Sequence, residues 1–244
     1  MLKDLHVHST FSDGKNTPEE NVLAAIEKGM DEIGFSDHSY TFFDESYCIK
    51  KRALNEYIAE ITRLKSLYAE KIKILCGIEQ DYYSEEPTDA YDYVIGSVHY
   101  VKCGSEYVPV DHNAATQKAC IAKYFGGDAD AYAEAYFAAV ADVYNRTHCD
   151  IIGHFDLLSK FREKEPVFDE NSPRYIAAWM KAADELLKSG KPFEINTGAI
   201  GRGYRTTPYP SEAQRKYISA HGGSFILSSD SHKSENLCFG FDGV

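Results

Sequence analysis

Hydrophobic positions along the chain fall into two alternating patterns. Seven short runs rich in Ile, Val, Leu or Phe lie at 2–8, 32–36, 72–78, 93–99, 150–154, 192–196 and 224–229. They have the length and apolar continuity of buried parallel strands. The stretches between them carry helix start and stop signals. Thr17-Pro18-Glu19-Glu20 offers an N-cap threonine, a proline in the first helical turn and a glutamate placed to close a capping box. Ser211-Glu212-Ala213-Gln214 repeats the box, and Ser172-Pro173 repeats the serine-then-proline entry ahead of 174–188. Gly29, Gly190 and Gly222 stand where helices should stop. Further helices are expected over 53–69 and 132–146.

A strand followed by a helix, seven times over, predicts a parallel sheet. An open doubly wound sheet and a closed barrel both fit. No Gly-rich phosphate loop follows the first strand, which disfavours a dinucleotide-binding sheet. No linker, low-complexity segment or internal repeat divides the 244 residues, so a single α/β domain spanning 1–244 is expected.

Composition narrows the function classes. No apolar run approaches the roughly 18 residues of a membrane span. The start, Met1-Leu2-Lys3-Asp4-Leu5-His6, lacks the charged-then-apolar layout of a secretory leader, so a cytoplasmic location is expected. Cys48, Cys76, Cys103, Cys120, Cys149 and Cys238 are too widely spaced for a zinc knuckle or a CxxC redox motif, and reduced, buried thiols are expected. The net charge of −12 argues against a protein that coats nucleic acid. It leaves room for a small phosphorylated substrate held in a local pocket of metals and arginines.

The candidate chemistry sits at the last residues of each strand. The first run carries His6 and His8, the second leads into Asp37-His38, the third into Glu79, the fourth ends in His99 and the fifth in His154. The sixth ends with Glu194 and Asn196, and the seventh leads into Asp230 and His232. In a barrel these positions converge on one mouth, where such folds place their chemistry. His6 and His8 are two apart, so strand alternation sends both imidazoles to one face and Leu5 and Val7 to the other. Asp230 and His232 repeat that spacing at the far end of the chain. A single histidine at a strand end is ordinarily a polar cap or a satisfied core residue, but six of the nine histidines share this pattern. Imidazole and carboxylate donors without thiolates point to a catalytic divalent-metal site suited to Zn, Fe or Mn better than to Ca.

The stretches around these residues are His6-Val7-His8-Ser9-Thr10-Phe11-Ser12-Asp13-Gly14, Phe35-Ser36-Asp37-His38, Gly77-Ile78-Glu79, Gly96-Ser97-Val98-His99, Gly153-His154-Phe155-Asp156 and Ser229-Asp230-Ser231-His232. In this order the chain resembles the polymerase and histidinol phosphatase (PHP) domain family. Residues 96–101, 153–161, 193–198, 202–204 and 209–211 are similar to its stand-alone histidinol-phosphate phosphatases. The resemblance implies a distorted seven-stranded (β/α)7 barrel with two or three metals. It assigns His6, His8, Glu79 and Asp230 to one metal, Glu79, His99 and His154 to a second, and His38, His232 and Asp13 to a third. Asp13 also opens an Asp-Gly turn, so a purely local role stays open for it. Family members usually continue into one more helix after the seventh strand, whereas this sequence stops at Val244.

The reaction this implies is hydrolysis of a small phosphate monoester, histidinol phosphate above all. A metal-bridging hydroxide would attack in line, with no protein nucleophile. The rivals are a promiscuous phosphoesterase acting on other phosphomonoesters or nucleotide ends, a metal-dependent protein tyrosine phosphatase, and a non-catalytic metal-binding module. Arg202 and Arg205, in a Gly-containing loop, are candidates to clamp the phosphate, or are solvated loop arginines. Lys160 is a further candidate, with Ser159 and Arg162 nearby. Asp111 and His112 could read the ammonium or imidazole of a substrate, or Asp111 could cap the following helix. Asp156 could orient His154 or serve as an N-cap.

Overall fold

In the computed structural model, which describes residues 1–243, nine strands and seven helices form along the chain. The strands are β1 (Lys3–Val7), β2 (Glu32–Phe35), β3 (Lys73–Asp81), β4 (Tyr93–Ser97), β5 (Tyr100–Cys103), β6 (Glu106–Pro109), β7 (Ile151–Ile152), β8 (Phe193–Asn196) and β9 (Phe225–Ser228). The helices are α1 (Pro18–Glu27), α2 (Leu54–Leu67), α3 (Ala114–Tyr124), α4 (Ala129–Thr147), α5 (Pro173–Leu187), α6 (Gly198–Gly201) and α7 (Glu212–Ala220). Seven strands pair in parallel in the order β1-β2-β3-β4-β7-β8-β9. β3 serves two neighbours. Its first half pairs with β2, from Glu32–Lys73 to Phe35–Cys76, and its second half with β4, from Gly77–Tyr93 to Asp81–Ser97.

The sheet curls until its edges nearly meet. Val7 bridges Ser231, with His8 N–H donating to the Ser231 carbonyl (2.8 Å) and Ser231 N–H to the His6 carbonyl (2.9 Å). Below that seam the buried Asp4 carboxylate accepts from the Ser229 N–H and hydroxyl and from Cys238 N–H. The result is the expected (β/α)7 barrel.

Two apolar layers hold it. Leu5, Tyr93, Ile95 and Ile151 fill the barrel interior, and a larger shell packs between the strands and the helices. The Tyr93 side chain lies so close to β2 and β3 that a Cβ on Gly34 would fall 2.4 Å from its hydroxyl and one on Gly77 2.3 Å from its ring. Side chain and glycines therefore fit as one unit. β1 departs from strict alternation. Leu5 belongs to the interior and Val7 to the outer shell, with a register shift between Asp4 and Val7. Such an irregularity re-aims side chains at a barrel rim.

The capping boxes form at Thr17–Glu20 and Ser211–Gln214, and Gly29, Gly190 and Gly222 all take positive φ. Ser172 makes no cap bond. Its hydroxyl donates to Asp130 (2.6 Å) and ties α5 to α4. The hairpin β5–β6 turns at Gly104-Ser105, with Gly104 at φ +65°, and was not anticipated. A half-buried second strand makes its apolar run short, but Gly-Ser between two strand-like runs is the local signal that marks it. The stretch after β8, expected as a loop, includes the single turn α6. No helix among the described residues is long and apolar enough to cross a membrane.

Candidate metal centre

The C-terminal strand ends converge as the sequence predicts. His6 and His8 come from β1 and its end, His38 follows β2, Glu79 lies within β3, His99 follows β4, His154 follows β7, and Asp230 and His232 follow β9. Glu79, 1% exposed, is the hub. Its Oε2 faces His38 Nδ1 (2.7 Å), His6 Nε2 (3.3 Å) and His8 Nε2 (3.7 Å). Its Oε1 faces His154 Nε2 (2.9 Å) and His99 Nε2 (3.3 Å). Asp230 Oδ1 lies 3.3 Å from His8 Nε2 and 3.4 Å from His232 Nδ1. Asp13 reaches His232 Nε2 (3.2 Å) and His38 Nε2 (3.7 Å). Asp13 thus joins His8, His38 and His232 in one group of donors, and two further groups meet at Glu79.

These donors fit divalent metals. His6 Nε2, both ring nitrogens of His8, Asp13 Oδ1 and Glu79 Oε2 are buried without a hydrogen-bond partner. Buried polar atoms left unpartnered are costly unless something else satisfies them. Asp230 takes φ +48°, a left-handed conformation uncommon for aspartate. Gly198 makes room for it, since a Cβ there would lie 2.8 Å from the Asp230 Cβ.

Two carboxylates outside the donor set aim the ligands. Glu194 Oε1 sits 2.6 Å from His6 Nδ1, and Asp81 Oδ2 3.0 Å from His99 Nδ1. Each fixes the tautomer that leaves Nε2 free to ligate. Asp37 accepts from Ser9 N–H (2.8 Å) and Ser12 N–H (3.1 Å) and so shapes the loop that presents Asp13. Asp156 does not orient His154. It accepts from the Ser159 hydroxyl (3.0 Å) and pairs with Arg205 (3.8 Å). The role of Asp81 went unread because its partner is not local in sequence. Because the orienting carboxylate acts through a ligand, Glu194→Gln is expected to weaken metal affinity by about 10- to 100-fold with the fold intact. Competition with a chromophoric chelator measures this, and unchanged affinity would exclude the orienting role.

Charge in the centre is divided in a telling way. Burial pushes the Glu79 and Asp230 carboxyls up, but His38, His6 and His99 around the first, and Arg202 and His6 around the second, hold both well below the usual range. Burial disfavours charge on His6, His38 and His99 too, yet Glu194 and Glu79 beside His6, Glu79 and Asp13 beside His38, and Glu79 beside His99 raise them. His8 goes the other way. Burial and the adjoining His232 and His38 push it down to about 3. Protons on the raised histidines thus occupy nitrogens that a metal needs. Zinc binding near neutral pH is expected to release them, and affinity should fall as pH falls, about tenfold per pH unit for each proton displaced. Above the raised histidine values the dependence should vanish. Titration calorimetry in buffers of different ionisation enthalpy reads the proton count, and identical heats in all buffers would contradict it.

A cavity of about 310 Å³ opens beside the centre, lined by Arg202, Lys160, Asp111 and His112 as well as by donor residues. Arg202 donates to the Asp230 carboxylate (2.9 Å) and to His232 Nδ1 (2.9 Å), and its buried Nε has no partner. Lys160 Nζ lies 3.0 Å from the Asp111 carboxylate. Asp111 is therefore spoken for by a lysine, and the helix that follows is capped by Asn113 instead. Arg205 departs from the expectation. It is buried behind the wall, bonded to the Ser159 hydroxyl (2.7 Å) and stacked 4.3 Å from the centre of the Tyr209 ring. Arg162 pairs with Glu170.

Comparison with known proteins agrees with this fold. The histidinol-phosphatase of Bacillus subtilis is 26% identical over 98% of this chain and 97% of its own length. The crystal structure of hisK from Listeria monocytogenes superposes with a TM-score of 0.82 at 21% identity, covering 98% of each chain. The Lactococcus lactis histidinol phosphate phosphatase, crystallised with zinc, L-histidinol and phosphate, has a TM-score of 0.73 at 22% identity over 99% of this chain and 91% of that one. The two structures share the fold of this chain. A family profile, that of the PHP domain, matches residues 4–198, a span that holds seven of the nine donor residues, and Asp230 and His232 complete the set beyond it. The chain belongs to the PHP domain family.

Proposed function

We propose that the protein hydrolyses a small phosphate monoester, histidinol phosphate, to the free alcohol and phosphate, using two or three divalent metals. The observation that carries this reading is the single buried carboxylate of Glu79 facing five imidazole nitrogens beside a cavity of about 310 Å³. His6, His8, Glu79 and Asp230 would hold one ion, His99 and His154 a second with Glu79 between them, and Asp13, His38 and His232 a third. Zinc, present in the Lactococcus lactis relative, is the favoured metal, and iron or manganese would suit the same donors. Metals held there would supply positive charge for the phosphoryl group and a water of lowered pKa.

The chain's own residues position the ester. Arg202 lines the cavity beside Asp230 and His232 and is placed to bind the phosphate, and Lys160 adds a second positive charge held in place by Asp111. Glu194 and Asp81 keep two ligands aimed, and no side-chain nucleophile is called for. The histidinol-phosphatase relative of similar length supports the choice of substrate.

The test is a turnover panel on the zinc-loaded protein with histidinol phosphate, p-nitrophenyl phosphate, a nucleoside monophosphate and a phosphotyrosine peptide. Preference for histidinol phosphate by kcat/KM is expected. Equal turnover across the panel would replace this reading with a promiscuous phosphoesterase, and preference for the peptide with a protein phosphatase.

A further inference from the structure

Four carboxylates line the cavity: Asp13, Asp44, Asp111 and Asp230. Asp13 and Asp230 face the histidines of the metal centre, and Asp230 also pairs with Arg202. Asp111 is matched by Lys160. Asp44 alone makes no ion pair among the described residues, and Lys50 acts on it only through space.

Its place in the cavity is defined by two aromatic rings. The Tyr47 ring packs edge-on against His38 (4.8 Å between centroids) and lies 6.2 Å from His99, so it borders the metal end. Tyr100 comes next, 6.1 Å beyond Tyr47, and its hydroxyl donates to Asp44 Oδ2 (2.9 Å). Ser46 donates to Asp44 Oδ1 through its N–H (3.0 Å) and its hydroxyl (2.6 Å). Burial raises the Asp44 carboxyl, but these donors outweigh it and keep the group ionised. Oδ1 thus accepts two donors, whereas Oδ2 accepts only Tyr100 and retains a lone pair for one more.

We propose that Asp44 binds the ammonium of the substrate, so that the cavity selects phosphomonoesters of amino alcohols over neutral ones. The proposal rests on the reading that a phosphomonoester occupies the metal end. A substrate with phosphate at one end and a charged amine a few bonds away is then matched at both ends, by Arg202 and the metals on one side and by Asp44 on the other. A partly buried carboxylate with no cation of its own gains more from such a ligand than an exposed one, because less water competes. It also disfavours a ligand that places a neutral or anionic group there. The ammonium is the expected partner rather than the imidazole, since an amine stays charged at pH 7.5 while an imidazole with a pKa of about 6.5 is largely neutral.

Asp44 also closes a local turn onto Ser46, so the variant must separate charge from shape. Asp44→Asn does so: its amide oxygen still accepts from Ser46, and its amide nitrogen can donate to the Tyr100 hydroxyl. With the zinc-loaded full chain at pH 7.5, Asp44→Asn is expected to raise KM for histidinol phosphate by about 10- to 100-fold. KM for p-nitrophenyl phosphate should change by less than about twofold, with zinc content unchanged. Product inhibition gives a second readout. The inhibition constant of L-histidinol should rise, and those of inorganic phosphate and of the analogue lacking the amine, imidazolylpropanol, should not. Equal loss on both esters would make Asp44 a structural residue, and no loss on either would make it a surface one. An equal shift for imidazolylpropanol would move the recognition to the ring. Each of these overturns the proposal and leaves the phosphatase reading standing, whereas a zinc-loaded parent inactive on every phosphomonoester overturns both.

Discussion

Glu79→Ala is expected to lower the bound metal per chain and to cut turnover of any phosphomonoester by at least about 10³-fold, since a lost metal forfeits several kcal/mol of transition-state stabilisation. Both oxygens of this carboxylate are committed, Oε2 toward His6, His8 and His38 and Oε1 toward His99 and His154. Removing it takes one negative charge from the midpoint of two donor groups at once, so sites on both sides should weaken together. Loss of a carboxylate from only one subsite would leave the other filled. Glu79→Gln separates charge from volume, because it fills the same space and keeps one acceptor oxygen. It should retain more metal than the alanine variant and still fall well short of the parent. Elemental analysis after gel filtration measures both. A Glu79→Ala protein with its full complement of metal would sink the bridging role.

Arg202→Ala should act on binding. Its guanidinium lines the cavity and touches the centre from outside, donating to the Asp230 carboxylate and to His232 Nδ1. Neither contact is needed to hold a metal on the free faces of those ligands, so metal content should stay near the parent's. A charge-assisted contact to phosphate contributes roughly 1.5–3 kcal/mol, so KM should rise by about 10- to 150-fold. Arg202→Lys should recover only part of this, because an ammonium cannot form two parallel bonds to one phosphate. Steady-state kinetics on both variants decide it. Parent-like KM in both would move the clamp to Lys160, the lysine that lines the same cavity.

Much of the centre was legible in the sequence because a parallel barrel brings its strand ends together whatever the detailed packing. Residue type at six of the seven strand ends therefore carried all of the proposed donor set but Asp13, and the two-residue spacings at His6/His8 and Asp230/His232 marked pairs that meet at the centre. Helix boundaries were legible where the signal is local, as at Thr17–Glu20 and Ser211–Gln214, whose capping bonds span three residues. At Ser172 the serine-then-proline entry placed the start of α5 correctly, although a partner 42 residues away captured the hydroxyl that would have capped it.

What the sequence by itself determined is thus the alternation of seven parallel strands with helices and, through the family resemblance, the barrel and the residues proposed as metal donors. Only the tertiary structure decided which residue orients, pairs or lines. Glu194 aims His6 across 188 residues of chain, while Asp156, two residues from His154, turns to Ser159 and Arg205 instead. Lys160 and Asp111, 49 residues apart, neutralise each other, and so leave Asp44 as the carboxylate without a cation. Arg202 and Arg205 share one loop, yet one lines the cavity and the other is buried behind it. Backbone periodicity is a short-range property and is written locally. The pairing of charges depends on which groups packing brings within a few ångströms, and on burial that removes water from between them.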